Sequence, residues 1–445
     1  MAAGHSVDTA AWVAETDRLL ERMAGRFARV ETRRRAGKFL LGLLADLPRK
    51  NCWTIAEHAG DADPHGMQHL LARASWDTDG VRDDLRDYVT DGLGDPDAVL
   101  VVDETGDLKK GVGTVGVQRQ YTGTAGRIEN AQVAVYLTYA GARGHAMIDR
   151  ELYLPKSWTA DPERLDEAGV PDAIGFATKP ALATGMLIRA LNAGIEARWV
   201  AGDEVYGADP ALRTECELRR VGYVLGIGCD RRIPTQAGSL RADEITAGLP
   251  TRAWQRLSAG AGAKGQRFYD WALISHPDPA GTADPARGEP ADTECWWLLV
   301  RRHRDTGELA FYRCYSPEPV PLRELVRVAG RRWTVEESFQ AGKGLAGLDE
   351  HQVRRWISWQ RWTLLAMTAH ALLAVIAARE HTLRPAPDGL IALTRNEIRR
   401  LFVRFVIEPG RTLACPQAWS RWRRRHQHRA RTSHYQRQEL GQRQT

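Results

Sequence analysis

Three carboxylates stand where the sequence could do chemistry: Asp103, Asp203 and Glu336. Asp103 closes the apolar run Ala98-Val99-Leu100-Val101-Val102, and Asp203 closes Arg198-Trp199-Val200-Ala201-Gly202. Both runs read as buried strands, and strand ends in an α/β sheet are where ligands collect. On adjacent strands the two carboxylates would lie side by side, and like charges that close repel unless a cation sits between them. Mg²⁺ or Mn²⁺ suits such a place, because hard ions prefer carboxylate oxygen and water. Two such ions, about 3.5–4 Å apart, form a clamp for in-line phosphoryl transfer. Glu336 lies in Arg332-Trp333-Thr334-Val335-Glu336-Glu337-Ser338-Phe339-Gln340-Ala341-Gly342-Lys343, which reads as helix. Arg332, four residues earlier, shares its face, and so does Lys343, two turns later. A carboxylate between two cations suits metal binding beside phosphate binding, and Arg332 would hold Glu336 ionised. Each acid also has an ordinary reading. A strand-end Asp often caps a helix or turn, and an Arg-Glu-Lys row is often a solvated face. Glu104, Glu204 and Glu337 each follow one of the three acids. On a strand, only one of two neighbours can face the metals. On the helix, Glu337 sits about 100° away from Glu336.

The elements that must carry these residues follow from patterning. Residues 9–35 read as one charged amphipathic helix, and residues 37–74 as two or three short helices. Within the latter, Thr54 to Gly60 followed by Met67 to Leu71 has helix-turn-helix spacing, which suits a DNA major groove, although short helix pairs occur in any bundle. The strand ending at Asp103 leads into a Gly-rich loop, Gly106 to Gly116. Ala131–Tyr139 and Met147–Leu154 alternate and form a hairpin. Residues 155–180 read as loop, Ala181–Ala193 as helix, then come the strand ending at Asp203, a helix after Asp209, and the strand Tyr223–Ile227. This order predicts a mixed α/β sheet whose first three strands are antiparallel and whose later strands are parallel, as in ribonuclease-H-like cores. Strand candidates at 253–258, 266–274, 295–301 and 308–314, with a Pro- and Gly-rich loop at 277–291, predict a β-rich insertion. Helix returns from about Leu322, running with breaks to about Glu380, and again at 394–406. The resulting division is a helical region 1–95, a core in two parts (96–229 and 322–380), an insertion 230–321, and a helical, basic C-terminal region 381–445.

Composition narrows the classes. In 445 residues, 43% hydrophobic and 27% charged, a soluble globular chain is expected, and wholesale disorder, collagen or coiled coil is excluded. The net charge of +6 is unevenly placed: residues 411–445 hold nine Arg against Glu439, leaving the rest of the chain slightly acidic. A basic tail points to a polyanion, most often nucleic acid, or is simply a solvated end. Six cysteines without a CxxC pair argue against a zinc ribbon or a disulfide framework and fit a reducing cytoplasm. The N-terminus has no signal pattern. The longest apolar stretch, Trp362 to Ala378, is short for a membrane span and is interrupted by Thr363, Thr368 and His370. It predicts a buried helix, and Trp356, Trp359 and Trp362 read as core.

Over roughly residues 35–410 the chain resembles the DDE transposases of bacterial insertion sequences, the cut-and-paste branch with a β-rich insertion. Val-Val-Asp103-Glu-Thr-Gly and Ala-Gly-Asp203-Glu-Val-Tyr-Gly match the stretches around that family's first two catalytic aspartates. Arg332, Glu336 and Lys343 match the last three members of its Tyr-Arg-Glu-Lys signature, with Ala329 at the Tyr position. Lys109-Lys110-Gly111, the stretch Arg119 to Asn130 and the stretch Ile148 to Pro155 look like the family too. The resemblance selects Asp103, Asp203 and Glu336 as catalytic and metal-binding residues, with two Mg²⁺ or Mn²⁺ ions per site. It implies a ribonuclease-H-like core and a DNA-binding N-terminal region. The implied activity is binding of the element's terminal inverted repeats, metal-dependent strand cleavage and strand transfer. The implied partner is double-stranded DNA, at both transposon ends and target, with a homodimer in the DNA complex, no membrane, and a bacterial, nucleoid-associated location. Arg332, Lys343, Lys109, Lys110, Arg119 and Arg127 are the expected DNA contacts. In related transposases a Trp of the insertion stacks on a base flipped from a hairpin end, and Trp297 fits that position, unless it is a buried core Trp. Other readings are a transposase-derived DNA-binding protein without strand transfer, and a metal-dependent DNA nuclease.

Overall fold

The computed structural model of the protein describes residues 7–236, 238–262, 265–277, 294–385 and 392–408. The basic tail 411–445 and nearly all of the loop 277–291 lie outside the described residues. Chain contacts divide the protein into two units, Arg82–Ala341 and Met1–Val81 together with Gly342–Thr445.

The chain opens with helices α1 (Thr9–Arg22), α2 (Val30–Leu44), α3 (Cys52–His58), α4 (His65–Ala72) and α5 (Thr78–Leu93). The single amphipathic helix expected over 9–35 is therefore two. A 3₁₀ turn at Ala24–Arg26 breaks it, where Gly25 lowers helix propensity. Phe27 then leaves the helical path, forms an isolated bridge to Trp76 and stacks on its ring at 5.2 Å. α3 and α4 coincide with the two short helices read at 54–60 and 67–71. Asn51 caps α3 by accepting from the amides of Trp53 and Thr54, the residue type that satisfies open N-terminal amides.

The second unit is built on one ten-stranded sheet. Its strands are β1 (Val99–Leu108), β2 (Gln118–Thr122), β3 (Arg127–Gly141), β4 (Gly144–Leu152), β5 (Trp199–Gly202), β6 (Gly222–Ile227), then β9 to β12 below. Short helices α6 (Lys156–Thr159) and α7 (Pro162–Ala168) occupy part of the stretch read as loop, followed by α8 (Lys179–Asn192), α9 (Glu204–Gly207) and α10 (Pro210–Leu218). β1 pairs antiparallel with β3 and parallel with β5, and β5 pairs parallel with β6. This is the order read from the sequence. β1 is apolar from Val99 to Val102 because each of these residues is fully buried, as expected for a strand covered on both faces. β2 went unread: the Gly-rich composition around it hides a strand whose residues 118–122 pair with 127–131 of β3.

A small hairpin, β7 (Arg232–Thr235) and β8 (Gly238–Arg241), and helix α11 (Ala242–Ala247) precede β9 (Gln255–Gly262), β10 (Gly265–His276), β11 (Cys295–Arg302) and β12 (Leu309–Ser316). All four β-rich runs read at 253–314 are strands. They do not form a separate sheet: β12 pairs antiparallel with β6, and β11, β10 and β9 follow outward. The two faces of this extension differ. Leu298, Val300 and Phe311 pack with Ile233, Ala242 and the half-buried Ile245 and Ile274 on one face. Helix α12 (Leu322–Arg331) packs on β9 and on β1, β5 and β6, and α13 (Trp333–Ala346) follows it. A Cβ at Gly330 would stand 2.0 Å from the Ala259 carbonyl, so glycine is what permits α12 to lie this close to β9.

The described residues close with α14 (Trp356–Leu383), α15 (Arg395–Phe402) and a π-helical turn at Val403–Ile407. α14 is long and apolar enough to cross a membrane by length and composition, yet its apolar window is wholly buried in the protein. Trp356, Trp359 and Trp362 are all buried. In the same helix Arg361 is buried and donates to the carbonyls of Leu70, Leu71 and Ala74 at 3.2, 3.4 and 2.7 Å. Its guanidinium lies over the Trp76 ring at 4.9 Å. Burial pushes it down to about 10, so it stays charged at neutral pH, held by carbonyl dipoles at the end of α4. Arg361→Ala strands three carbonyls and is expected to cost about 2–4 kcal/mol. Urea denaturation of the two proteins measures it, and equal midpoints would mean that the carbonyls find water instead.

Candidate active site

Parallel pairing of β1 with β5 runs in register Val99↔Trp199, Leu100↔Val200, Val101↔Ala201. Asp103 and Asp203 each lie two residues beyond the last of these pairs, so the same offset brings both carboxylates level at one end of adjacent strands. Asp103 is 7% exposed. Its Oδ1 accepts from the Glu104 amide at 2.8 Å, and its Oδ2 accepts from Arg332 Nη1 at 3.1 Å. Desolvation, then the Asp203 charge, pushes the Asp103 carboxyl up to about 8 against the pull of Arg332. The Asp203 carboxyl is raised too, by desolvation first and next by Glu104. Asp203 is also a helix cap: its Oδ1 accepts from Val205 N at 2.9 Å at the start of α9.

The turn that carries Asp203 rests on glycines. A Cβ at Gly207 would lie 1.9 Å from the Gly226 carbonyl oxygen, and one at Gly226 would meet the Asp203 backbone at 3.1 Å. Side chains at either position would lift α9 off β6.

Arg332 corrects the sequence reading. It stands between α12 and α13 and not within the Glu336 helix, where it was expected. Its ion pair is with Asp103, not with Glu336. Glu336 is exposed in the first turn of α13. Among the described residues no group of three His, Cys, Asp or Glu side chains is gathered closely enough to hold a metal ion. Asp103 and Asp203 are thus brought together, and Glu336 is not drawn in with them. Lys343 is in the last turn of α13.

Glu104 was set aside because neighbours on a strand alternate sides. Its carboxylate nonetheless reaches the Asp203 turn, accepting from the Tyr206 hydroxyl at 2.5 Å and from Lys179 Nζ at 2.7 Å. The acid following Asp103 was the available signal, and strand alternation argued it away.

A cavity of about 560 Å³ opens beside Asp203. Tyr269, Trp271, Arg301 and Tyr312 of β10, β11 and β12 form one wall, on the sheet face opposite Leu298 and Val300, and Arg267, Arg332 and Trp333 close it. Arg301 lies over the Tyr269 ring at 4.7 Å. Trp297 does not line this cavity. It is 7% exposed, on a strand paired on both sides with Ser275 and Cys314, and Trp296 is buried beside it. The continuous apolar run 296–300 marks a buried strand, so the core reading of Trp297 holds, and a ring without an open face cannot stack on a base. Lys110 is exposed after β1, and the amide of Lys109 donates to the Asn130 carbonyl. Arg119 is in β2, and Arg127 opens β3, paired with Glu129 at 2.9 Å.

The donor chemistry fits a divalent cation. Two level carboxylates, one of them driven toward protonation by desolvation and then by the other's charge, form an oxygen-rich place where a cation relieves the repulsion.

Residues 22–255 match the family described as DDE superfamily endonuclease, just over half of the chain. The chain belongs to that family. As a DDE superfamily member it is also 33% identical over 175 residues to a probable transposase for insertion sequence element IS701 of Microchaete diplosiphon. That match covers 39% of this chain and 43% of the relative, so it spans less than half of either. Among solved structures, a piggyBac transposase synaptic complex with hairpin DNA, determined by cryo-EM, aligns over 93% of this chain and 84% of that one, at a TM-score of 0.40 and 11% identity.

Proposed function

We propose that this DDE superfamily endonuclease is a transposase that binds the terminal inverted repeats of its own insertion sequence and cuts and transfers DNA strands. The observation that carries the reading is the level pair Asp103 and Asp203 on parallel strands, one carboxyl pushed up to about 8 by desolvation and by the other's charge. In this reading β1, β3, β4, β5 and β6 are a ribonuclease-H-like core, and β9 to β12 are its insertion. Asp103 and Asp203 would hold two Mg²⁺ or Mn²⁺ ions, and Glu336, exposed in the first turn of α13, would add its carboxylate when they are bound. When bound, the ions supply positive charge against the charge that builds on the attacking and leaving oxygens of a phosphodiester.

The chain's own residues do the rest. Asp203 is fixed by its cap to Val205, and Asp103 by its amide contact to Glu104. Arg332, paired with Asp103 at 3.1 Å, would offer its guanidinium to a backbone phosphate beside that carboxylate. The cavity receives the strand end: Trp333, 51% exposed, offers a ring face, and Arg267 and Arg301 offer cations. A stacked base contributes about 1–3 kcal/mol. Lys109, Lys110, Arg119, Arg127 and Lys343 grip phosphates, with the basic tail adding salt-dependent affinity. α3 and α4 bind the repeat. Bringing two ends together requires two protomers in the working DNA complex, in the bacterial cytoplasm at the nucleoid.

The test is cleavage of a labelled duplex carrying the element's end, with Mg²⁺ or Mn²⁺, by wild type and by Asp203→Asn. Metal-dependent cutting at the end should fall about a hundredfold or more in the variant, since even outer partners of metal ligands are worth 10–100-fold. Sequence-specific binding without cutting by either protein would replace this reading with that of a transposase-derived DNA-binding protein.

A further inference from the structure

We infer that Glu104 is a positioning residue that fixes the Asp203 turn against the Asp103 strand, through the hydroxyl of Tyr206 and the ammonium of Lys179; the inference rests on the reading of Asp103 and Asp203 as the metal-holding pair. Three separate segments converge on this one carboxylate. Glu104 is the residue after Asp103 in β1. Tyr206 is the third residue after Asp203, in α9, and is fully buried. Lys179 is the first residue of α8. Each carboxylate oxygen has its own donor, Oε2 the Tyr206 hydroxyl at 2.5 Å and Oε1 the Lys179 ammonium at 2.7 Å. Hydrogen bonds to a charged acceptor are about twice as strong as neutral ones.

The arrangement is costly without a use. A third carboxylate beside Asp103 and Asp203 adds like charge, and an apolar residue there would avoid that repulsion. Its two oxygens are already engaged by donors, which suits a strut better than a ligand. What the strut holds is evident from the chain path. β5 ends at Gly202, and Asp203 enters a turn of four helical residues. So short a helix has little stability of its own. Besides its packing on β6 and on α8, the Tyr206 to Glu104 contact ties this turn directly to β1, where Asp103 sits.

The experiment is Mn²⁺ binding followed by electron paramagnetic resonance on the full-length protein, with single-turnover cleavage of an end duplex beside it. Tyr206→Phe keeps the buried ring and removes the hydroxyl. It should weaken Mn²⁺ binding about tenfold and raise by a similar factor the Mg²⁺ needed for half-maximal cleavage, with DNA affinity and melting temperature close to wild type. In a Glu104→Ala background the same Tyr206→Phe change should have no further effect, because the two groups act as one unit. Glu104→Gln, which still accepts from Tyr206, should lie between wild type and Glu104→Ala, and it supplies the comparison if Tyr206→Phe does not fold. Wild-type Mn²⁺ affinity in folded Tyr206→Phe, or an equal loss from Tyr206→Phe with and without Glu104, overturns the inference while leaving the metal-pair reading intact. Failure of wild type to bind Mn²⁺ in a way that Asp203→Asn abolishes removes the metal-pair reading itself, and the inference with it.

Discussion

Asp103→Asn is expected to make the metal-free protein more stable at pH 8 while leaving it unable to cut DNA. The Asp103 carboxyl is buried, and desolvation and then the Asp203 charge move it from 3.8 to about 8. A carboxyl whose affinity for its proton is higher in the folded state than in the unfolded one adds stability at low pH. That contribution fades as pH rises from about 4, where the unfolded group ionises, to about 8, where the folded one does. A shift of this size corresponds to on the order of 5 kcal/mol. Metal-free wild type should therefore weaken steadily across that window, and the neutral amide should flatten the slope. Divalent cation should reverse the order: Mg²⁺ binds the folded pair and raises the wild-type melting temperature at pH 8, and the variant should not respond. Calorimetry in EDTA and in Mg²⁺ between pH 5 and 8.5 measures both effects. Parallel slopes for the two proteins would mean that Asp103 is well solvated in solution, and the electrostatic case for a cation would fall.

The second large effect is a pair of glycine substitutions with opposite signs. Gly207→Ala puts a Cβ 1.9 Å from the Gly226 carbonyl oxygen, a backbone atom that cannot swing away. Either α9 rises from β6 or the strand bends, and overpacking of this kind costs about 1–3 kcal/mol or more. Because Asp203 opens that turn, cleavage should fall further than stability alone explains. Gly185, inside α8, has nothing within 4 Å of an added Cβ. Gly185→Ala should stabilise by about 0.5–1 kcal/mol through helix propensity and a less free unfolded chain, with cleavage unchanged. Thermal melts and cleavage rates of the two variants, made in the same background, test the contrast. Wild-type activity in Gly207→Ala would show that the Asp203 turn is not held by its contact with β6.

The sheet around the two aspartates was legible because burial on both faces leaves a plain mark: Val99 to Val102 can be nothing but apolar, and the first polar residue after them is where the strand reaches its ligand end. The four strands from 255 to 316 were legible for the same reason. Their attachment was not. No residue in β12 announces that Tyr315, Cys314 and Arg313 pair with Tyr223, Val224 and Leu225 of β6, since such pairing is made by backbone atoms common to all residues. Arg332 was misassigned because helical spacing says which residues share a face only if the helix is continuous, and here it is broken between Arg331 and Trp333. Trp297 carried two readings, and the unbroken apolar run around it already signalled the burial that the structure shows. Glu104 shows the limit of alternation. A long carboxylate at a strand's end can reach a neighbouring turn that a residue in mid-strand could not.

The continuity of β6 with β12 bears on how such proteins can be recombined. The cavity wall and the aspartate pair are joined through five consecutive backbone pairs, from Phe311↔Ile227 to Tyr315↔Tyr223. The stretch from β9 to β12 is therefore not an interchangeable cassette. A chimera that takes this stretch from a relative must keep the β6 register to the residue, because a one-residue slip would turn Tyr312 to the face of Leu298 and Val300. The edge strand β9 is paired on one side only, with β10, whereas β12 is paired on both, which makes the β6–β12 seam the place that inheritance has to keep whole.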